Sequence, residues 1–334
     1  MAGRWRDARR VAAAMALIAV LTGCAWRLET EPLPTPTADA AQVARDQAAR
    51  NEAAIVAALG QPAAEGSGRE ALEALEALAA PTHLSVLGGV YEPYPDATPS
   101  RSPSPAPSRD AEVTLAPAPD LRATVITARD DAMALAFNSS ESDEGFFAGS
   151  VTFTHAFALW YAGVLDARAA GVDVTAADPK ALTLPVTAEV PLVPERTSLD
   201  PDAVAQLALR HDQARFTYEV IAARESGPAR VAALQSARAH GDRAAALVTL
   251  SGIDLRTPVY ELPQATIATA QDRLATQRLT EQGLGWAYMA LTYGVDSTER
   301  AWLMAAAFDA YATSALMPGF TVAEFPVLPG ATRD

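Results

Sequence analysis

Residues 202–224 read DAVAQLALRHDQARFTYEVIAAR, and this stretch carries the clearest structural signal in the chain. Val204, Leu207, Tyr218 and Ile221 fall on one face when the stretch is wound at about 3.6 residues per turn. A helix with one apolar face has to cover that face with other secondary structure. The pattern therefore predicts a helix that packs with neighbouring helices around a shared core.

The same periodicity recurs in seven further segments. They cover residues 39–59, 68–87, 121–137 and 146–170 in the first half, and residues 228–250, 266–293 and 297–317 in the second half. Pro81 is expected to kink or restart the second helix, because proline lacks the amide hydrogen that a helix interior uses. Gly294 is expected to stop the seventh helix, and Ser297 to cap the eighth. The sequence thus predicts an all-α protein with four helices in each half.

Two segments interrupt the helical pattern. Residues 93–119 are rich in Pro, Ser and Ala, and such a composition cannot bury a core, so a mobile loop is predicted. Residues 172–201 contain several prolines and little periodicity, which predicts an extended linker. The predicted domains are an N-terminal helical bundle over 39–171, a second bundle over 202–317, and a C-terminal tail over 318–334.

Short matching peptides in the two halves indicate an internal duplication. Asp46-Gln47-Ala48 matches Asp212-Gln213-Ala214, and Val90-Tyr91-Glu92 matches Val259-Tyr260-Glu261 in the same order. A repeat of this size favours two similar units over one large one. We therefore expect two up-down four-helix bundles, each of which buries its own apolar seam.

The N-terminus has the pattern of a lipoprotein signal. Four arginines between residues 4 and 10 precede an apolar run over 11–20, which is too short to span a bilayer. The run leads to Leu21-Thr22-Gly23-Cys24, and a cysteine as the first mature residue is the lipobox pattern of bacterial lipoproteins. We expect residues 1–23 to be removed and Cys24 to receive a diacylglyceryl group. The alternative is a simple signal that is cut elsewhere, with Cys24 as a bystander.

A lipidated Cys24 would place the protein on the outer face of the cytoplasmic membrane. Two acyl chains are enough to hold a protein on a membrane, and residues 24–38 would form a Pro-rich tether that lifts the body off the lipid. Residues 1–23 carry a net charge of +3, so the mature chain has a net charge of −17. This charge excludes nucleic acid as a partner. Cys24 is the only cysteine, so no intramolecular disulfide or thiolate metal site is expected.

Several motifs in the second half resemble a known family. Residues 209–218, Ala237-Arg238-Ala239-His240-Gly241-Asp242 and Tyr260-Glu261-Leu262-Pro263 resemble the ferritin-like domain of unknown function in lipoproteins of high-GC Gram-positive bacteria. The similarity covers residues 202–317, and Leu87-Gly88-Gly89-Val90-Tyr91 resembles the N-terminal part of such lipoproteins. The resemblance implies a four-helix bundle on the ferritin plan and carries no established activity.

The sequence lacks the ligand pattern of a ferritin-type di-iron centre. Such a centre takes one Glu from each of two helices and a Glu-x-x-His motif from each of the other two. The chain has four histidines, and the residues three positions before them are Ala80, Thr152, Ala208 and Ala237. A standard di-iron oxidase or ferroxidase is therefore excluded. His83 and His155 have no acidic neighbour at ligand spacing and are expected to be ordinary histidines.

A weaker polar constellation remains in the second half. His211, Glu281 and Asp309 fall on the apolar faces of the fifth, seventh and eighth helices, and His240 and Asp242 lie midway along the sixth. These side chains would meet at one level of a bundle, as a reduced mononuclear metal site or a polar ligand pocket. The favoured interpretation is a buried hydrogen-bonded network that arginines neutralise, because buried carboxylates are normally paired. The arginines considered are Arg215, Arg238 and Arg278.

The favoured function is a non-enzymatic binding or assembly module of the cell envelope, with the lipid on Cys24 as its membrane contact, an envelope protein as its partner and no cofactor. The first alternative is a divergent ferritin-like redox or storage protein that binds iron or another divalent metal. The second is small-molecule binding in the core of the C-terminal bundle. The sequence gives no support for an enzyme, because it contains no Gly-x-Ser-x-Gly motif, no Gly-x-Gly-x-x-Gly motif and no phosphate loop.

Overall fold

The computed structural model describes residues 38–59, 66–91, 120–176, 179–185 and 190–331. These residues form eight α-helices and three short 3-10 turns, and they contain no β-strand. The prediction of an all-α protein is confirmed. The predicted signal sequence, Cys24, nearly all of the predicted tether and the loop predicted over 93–119 lie outside the described residues. Within the described ranges, no helix is both long enough and apolar enough to cross a membrane.

The helices lie close to the segments that the periodicity predicts. They are α1 (Ala40–Leu59), α2 (Ser67–Val86), α3 (Leu121–Asn138), α4 (Ser142–Ala169), α5 (Pro201–Ala222), α6 (Gly227–Ser251), α7 (Ala270–Ala290) and α8 (Ser297–Leu316). Helix α2 continues through Pro81 without a break. Ala80, directly before Pro81, and His83, two residues after it, are fully buried, so packing holds the helix together where one backbone hydrogen bond is lost.

Helix ends differ from the predicted ends where side chains cap the backbone. The segment predicted as one helix over 266–293 begins as a 3-10 turn over Gln264–Ile267, and α7 starts only after Thr269. The Thr269 hydroxyl accepts a hydrogen bond from the amide of Asp272, and the Asp272 carboxylate accepts one from the amide of Thr269. This reciprocal pair is a capping box, which fixes a helix start. At α8 the capping side chain belongs to Asp296 and not to Ser297.

Contacts between helices define two groups. In the first half, α1 packs against α2 and α3, and α4 also packs against α2 and α3, so the four helices form a closed ring. In the second half, α5 packs along α6, α7 packs along α8, and α5 contacts α7. Helices α4 and α8 contact each other, and the rings of Phe157 and Phe308 meet there with centroids 6.4 Å apart. One hydrophobic core therefore runs through both halves.

Two segments outside the helices belong to this core. Leu182, in the segment predicted as an extended linker, is fully buried. Phe325, in the segment predicted as a tail, stacks on Phe157 with ring centroids 3.9 Å apart. We call residues 318–331 the C-terminal segment. Its backbone carbonyls reach into the first half of the molecule, as described below.

Candidate functional site

A cluster of two glutamates and two histidines is buried between helices of the first half. Helix α1 contributes Glu52, α2 contributes Glu76 and His83, and α4 contributes His155. None of the four side chains is more than 1% exposed. Glu76 and His83 are seven residues apart, about two helical turns, and therefore lie on the same face of α2. We call these four residues the first cluster.

Small residues let the helices of the first cluster approach each other closely. A β-carbon at Gly68 would lie 2.4 Å from the carbonyl oxygen of Ala162, so only glycine permits this contact between α2 and α4. Helix α1 presents Ala48 and Ala49, and α2 presents Ala79 and Ala80, all buried. Small side chains at these positions allow the backbones of α1, α2 and α4 to approach each other.

His155 is the centre of the hydrogen bonding in the first cluster. Its Nε2 lies 2.7 Å from Oε1 of Glu52, and its Nδ1 lies 3.0 Å from Oε1 of Glu76. An ionised carboxylate only accepts hydrogen bonds, so both ring nitrogens of His155 act as donors and the ring is an imidazolium. A proton thus lies between His155 and Glu52 in this state of the protein.

Electrostatics keep this pair charged in spite of its burial. Burial by itself lowers the pKa of His155, but the charges of Glu76 and Glu52 and the hydrogen bonds to them raise it to about 10. Burial by itself raises the pKa of Glu52, but the charge and hydrogen bond of His155, with a contribution from His83, lower it to about 2. A buried ion is tolerated only when its partners compensate the lost hydration, and each of the two groups supplies that compensation to the other.

The other histidine leaves polar atoms unsatisfied. Nε2 of His83 lies 2.8 Å from the carbonyl oxygen of Val327, which can only accept, so Nε2 carries the hydrogen. Nδ1 of His83 faces Oε2 of Glu52 at a distance of 3.4 Å. Neither of these two atoms has a hydrogen-bond partner among the described residues, and the same is true of Oε2 of Glu76. Leaving a buried acceptor unpaired costs about 1–3 kcal/mol, so three of them in one cluster require an explanation.

The first cluster has the donor set of a transition-metal site. Glu52, His83 and His155 each offer one ligand atom, and the three atoms lie within 4.8 Å of one another, the one such group in the part of the chain that the structure describes. Two imidazole nitrogens and one carboxylate bind catalytic zinc and non-haem iron. Histidines that bind metals usually donate their second N–H to a carboxylate or a backbone carbonyl. Glu76 and the Val327 carbonyl occupy these positions for His155 and His83.

The residues predicted from the second half lie in a separate cluster, and the structure brings three of the five together. His211 Nδ1 lies 3.0 Å from His240 Nδ1, and His240 Nε2 lies 3.0 Å from Oε1 of Glu281. Two tyrosines complete what we call the second cluster: Tyr288 OH lies 2.7 Å from His211 Nε2, and Tyr218 OH donates to Glu281 at 2.7 Å. All five side chains are buried.

The remaining two predicted residues lie outside this network. Asp309 forms an ion pair with Arg243, and Asp242 is exposed. Of the arginines considered as neutralising partners, Arg215 pairs with Asp212 and Glu219, and Arg278 pairs with Glu324.

One assignment of protons satisfies the whole second cluster. Tyr288 O–H donates to His211 Nε2, His211 Nδ1–H donates to His240 Nδ1, and His240 Nε2–H donates to the Glu281 carboxylate. No buried nitrogen or oxygen atom of these side chains lacks a partner within the described residues. Burial lowers the pKa of His211 well below its usual value, so this ring stays neutral. The arrangement is a complete hydrogen-bonded network.

Sequence reasoning misses the first cluster because its contacts are long-range. A local motif places metal ligands a few residues apart, whereas Glu52 and His155 are 103 residues apart. One local signal exists: Glu76 and His83 share the face of α2 that also carries Leu72 and Leu75. Comparison of the chain with protein-family models, curated proteins and solved structures finds no match.

Proposed function

We propose that this chain is a lipid-anchored, extracytoplasmic protein that binds one divalent transition-metal ion at Glu52, His83 and His155. The observation that carries the proposal is a pair of buried atoms without a hydrogen-bond partner among the described residues, His83 Nδ1 and Glu52 Oε2, which face each other 3.4 Å apart. With His83 neutral, as a metal ligand must be, the two atoms present lone pairs that repel each other at this distance. A cation that both atoms coordinate would remove the repulsion and supply the missing partner.

The ligand set favours a particular class of ion. Imidazole nitrogen suits Zn²⁺, Fe²⁺, Co²⁺ and Ni²⁺, whereas Mg²⁺ and Ca²⁺ prefer sites built from oxygen atoms. Binding requires that His155 Nε2 lose the proton it shares with Glu52, since a ligating nitrogen must be deprotonated. The Nδ1–H group of His155 would still donate to Glu76, and the Nε2–H group of His83 would still donate to the carbonyl oxygen of Val327. The ion would therefore enter a ligand set whose orientation is already fixed.

We also propose that each group of four helices is a bundle on the ferritin plan. The closed ring of contacts among α1 to α4 supports this for the first half, and the motifs that resemble a ferritin-like domain support it for the second. Ligands from α1, α2 and α4 around one ion would be a reduced form of the two-metal arrangement. The absence of any Glu-x-x-His motif from the sequence agrees with one ion and not two.

The membrane anchor rests on the sequence Leu21-Thr22-Gly23-Cys24. We expect mass spectrometry of the protein extracted from membranes to find acyl chains on Cys24 at the new N-terminus. The Cys24→Ser variant should appear in the soluble extracytoplasmic fraction. Recovery of wild-type protein without acyl groups from the culture medium would contradict the anchor and would leave the metal site untouched.

Metal analysis tests the central proposal. Protein extracted in detergent and stripped with a chelator should bind one equivalent of Co²⁺ or Zn²⁺ per chain, with a Co²⁺ visible spectrum that reports nitrogen and oxygen ligands. Glu52→Gln and His155→Gln should abolish stoichiometric binding. His240→Gln is the matched control, because it removes a buried histidine of the second cluster. Failure of the wild type to bind, or binding that survives Glu52→Gln, would refute the proposal.

A further inference from the structure

The C-terminal segment is in direct hydrogen-bonding contact with the first cluster. The carbonyl oxygen of Val327 accepts from His83 Nε2 at 2.8 Å and from the Thr154 hydroxyl at 3.2 Å. Two residues further on, the carbonyl oxygen of Pro329 accepts from the buried hydroxyl of Ser150 at 2.7 Å. Ser150 and Thr154 are one turn apart on α4, the helix that carries His155. The segment therefore lies directly against the residues of the proposed metal site.

Contacts to the second half hold the segment from its other side. Arg278 on α7 donates to the carbonyl of Pro318 at 2.8 Å and forms an ion pair with Glu324 at 3.1 Å. Near the end of the segment, a β-carbon on Gly330 would lie 2.5 Å from the backbone carbonyl carbon of Met289. Gly330 also has a φ of +87°, which favours glycine. The segment is thus fitted tightly against α7 at a point well removed in sequence from the ligands.

A groove runs beside the segment. Its volume is about 730 Å³, and its lining includes Leu78, Trp286, Val327 and Leu328. Leu78 lies on α2 between Glu76 and His83 in sequence and is 49% exposed, and Trp286 is 36% exposed, so the groove is accessible to solvent. Val327 lines the groove, and its carbonyl oxygen is hydrogen-bonded to His83 of the first cluster. Its displacement would connect the groove with His83.

We propose that the C-terminal segment controls metal exchange at the first cluster, and that the Val327 carbonyl is the positioning group for His83. The inference rests on the proposed function. With the segment in place, the carbonyl holds the hydrogen of His83 on Nε2 and directs the Nδ1 lone pair to Glu52. With the segment displaced, His83 is free to rotate or change tautomer, and an ion passes between the site and the groove.

Release kinetics test this inference. Full-length protein is loaded with Zn²⁺ and mixed with a chromophoric chelator, and the rate of transfer is measured. Gly330→Ala pushes the segment off α7, and Ser150→Ala removes a hydroxyl that anchors Pro329; both should release Zn²⁺ about tenfold faster than the wild type. Gly252→Ala is the matched control: its φ is +72°, so the strain is similar, but nothing lies within 4 Å of its β-carbon. It should release Zn²⁺ at the wild-type rate.

The outcomes separate the two proposals. A wild type that binds no metal refutes the proposed function. Stoichiometric binding with wild-type release rates in both Gly330→Ala and Ser150→Ala overturns the role of the segment and leaves the site intact. Equal acceleration in Gly252→Ala would also overturn it, because general destabilisation would then explain the effect. Should circular dichroism show that Gly330→Ala is unfolded, Ser150→Ala decides the question, since it adds no bulk.

Discussion

The first and second clusters are built from similar side chains but differ in how their hydrogen bonds are completed. The second cluster uses each ring nitrogen of His211 and His240 once, with Tyr288 and Glu281 at the two ends of the chain of bonds. The first cluster leaves three buried acceptors without a partner in the described residues. A complete network adds stability and accepts nothing further, whereas unsatisfied atoms that face each other, as His83 Nδ1 and Glu52 Oε2 do, are available to a ligand. Burial of histidine and glutamate alone does not distinguish the two cases.

The largest effect on stability is expected from removal of the shared acceptor in the second cluster. Glu281→Ala leaves Tyr218 O–H and His240 Nε2–H buried without an acceptor, which should lower the free energy of unfolding by about 3 kcal/mol. Urea denaturation of the metal-free wild type and variant measures this loss of unfolding free energy. A loss below about 1 kcal/mol would mean that water replaces the carboxylate and that the network is not a structural element.

Metal addition should act on one cluster only. Free Zn²⁺ at about 100 times its dissociation constant should raise the free energy of unfolding by about 2.7 kcal/mol, because the ion binds only the folded site. The same addition should leave the stability of His155→Gln unchanged and should stabilise His240→Gln as much as the wild type. Stabilisation that persists in His155→Gln would place the ion elsewhere in the molecule.

His211 of the second cluster and His155 of the first cluster predict pH effects of opposite sign. The folded pKa of His211 lies well below the unfolded value of 6.5, so its contribution is present above that pH and is lost as pH falls below it. His240, Tyr288 and the charge of Arg243 face this ring, and none of them offers it a negative charge at these pH values. The expected slope is at most about 1.4 kcal/mol per pH unit.

Urea unfolding between about pH 7 and pH 5 measures this slope, and His211→Gln should reduce it. His155 behaves in the opposite way, because its folded pKa is raised. Its contribution is complete below 6.5 and is lost as pH rises toward 10. An unchanged slope in His211→Gln would show that the ring is protonated in the folded protein.

The sequence predicts the helices well because helical periodicity is a local property. The periodicity of residues 202–224 places Tyr218 and His211 on the buried face of α5, and a histidine on that face predicts a polar cluster in the core. The same reasoning cannot find Arg243 as the partner of Asp309, because the choice among nearby arginines depends on how α6 is rotated against α8. Asp242, next in sequence to Arg243, is exposed for the same reason.

The first cluster cannot be predicted from any local pattern in the sequence. Its four side chains come from three helices, and its fifth component is the backbone carbonyl of Val327, which lies 244 residues from His83. A carbonyl group is present at every position, so the sequence gives no sign of which one will be used. The segment predicted as a tail is instead held in the core by Phe325, whose side chain is 3% exposed.

The smallest expected change in stability also gives the sharpest test of the difference between the two clusters. Glu52→Gln and Glu281→Gln make the same isosteric change, one in each cluster. In the second cluster, the amide oxygen is a weaker acceptor than a carboxylate for Tyr218 and His240, so Glu281→Gln should cost about 1 kcal/mol. In the first cluster, the amide nitrogen replaces Oε2 and can donate to His83 Nδ1, while the amide oxygen still accepts from His155.

Glu52→Gln therefore gives two unsatisfied positions a partner, and Glu76 still compensates the charge of His155 at 3.0 Å. The metal-free variant should be as stable as the wild type or more stable by up to about 1 kcal/mol, although it binds no metal. Urea denaturation of both variants in the presence of a chelator gives the comparison directly. Equal losses in the two variants would mean that the first cluster is a structural network like the second. A gain in stability on removal of the carboxylate charge, together with loss of metal binding, is the result expected of a metal site whose ligands are strained in the absence of the ion.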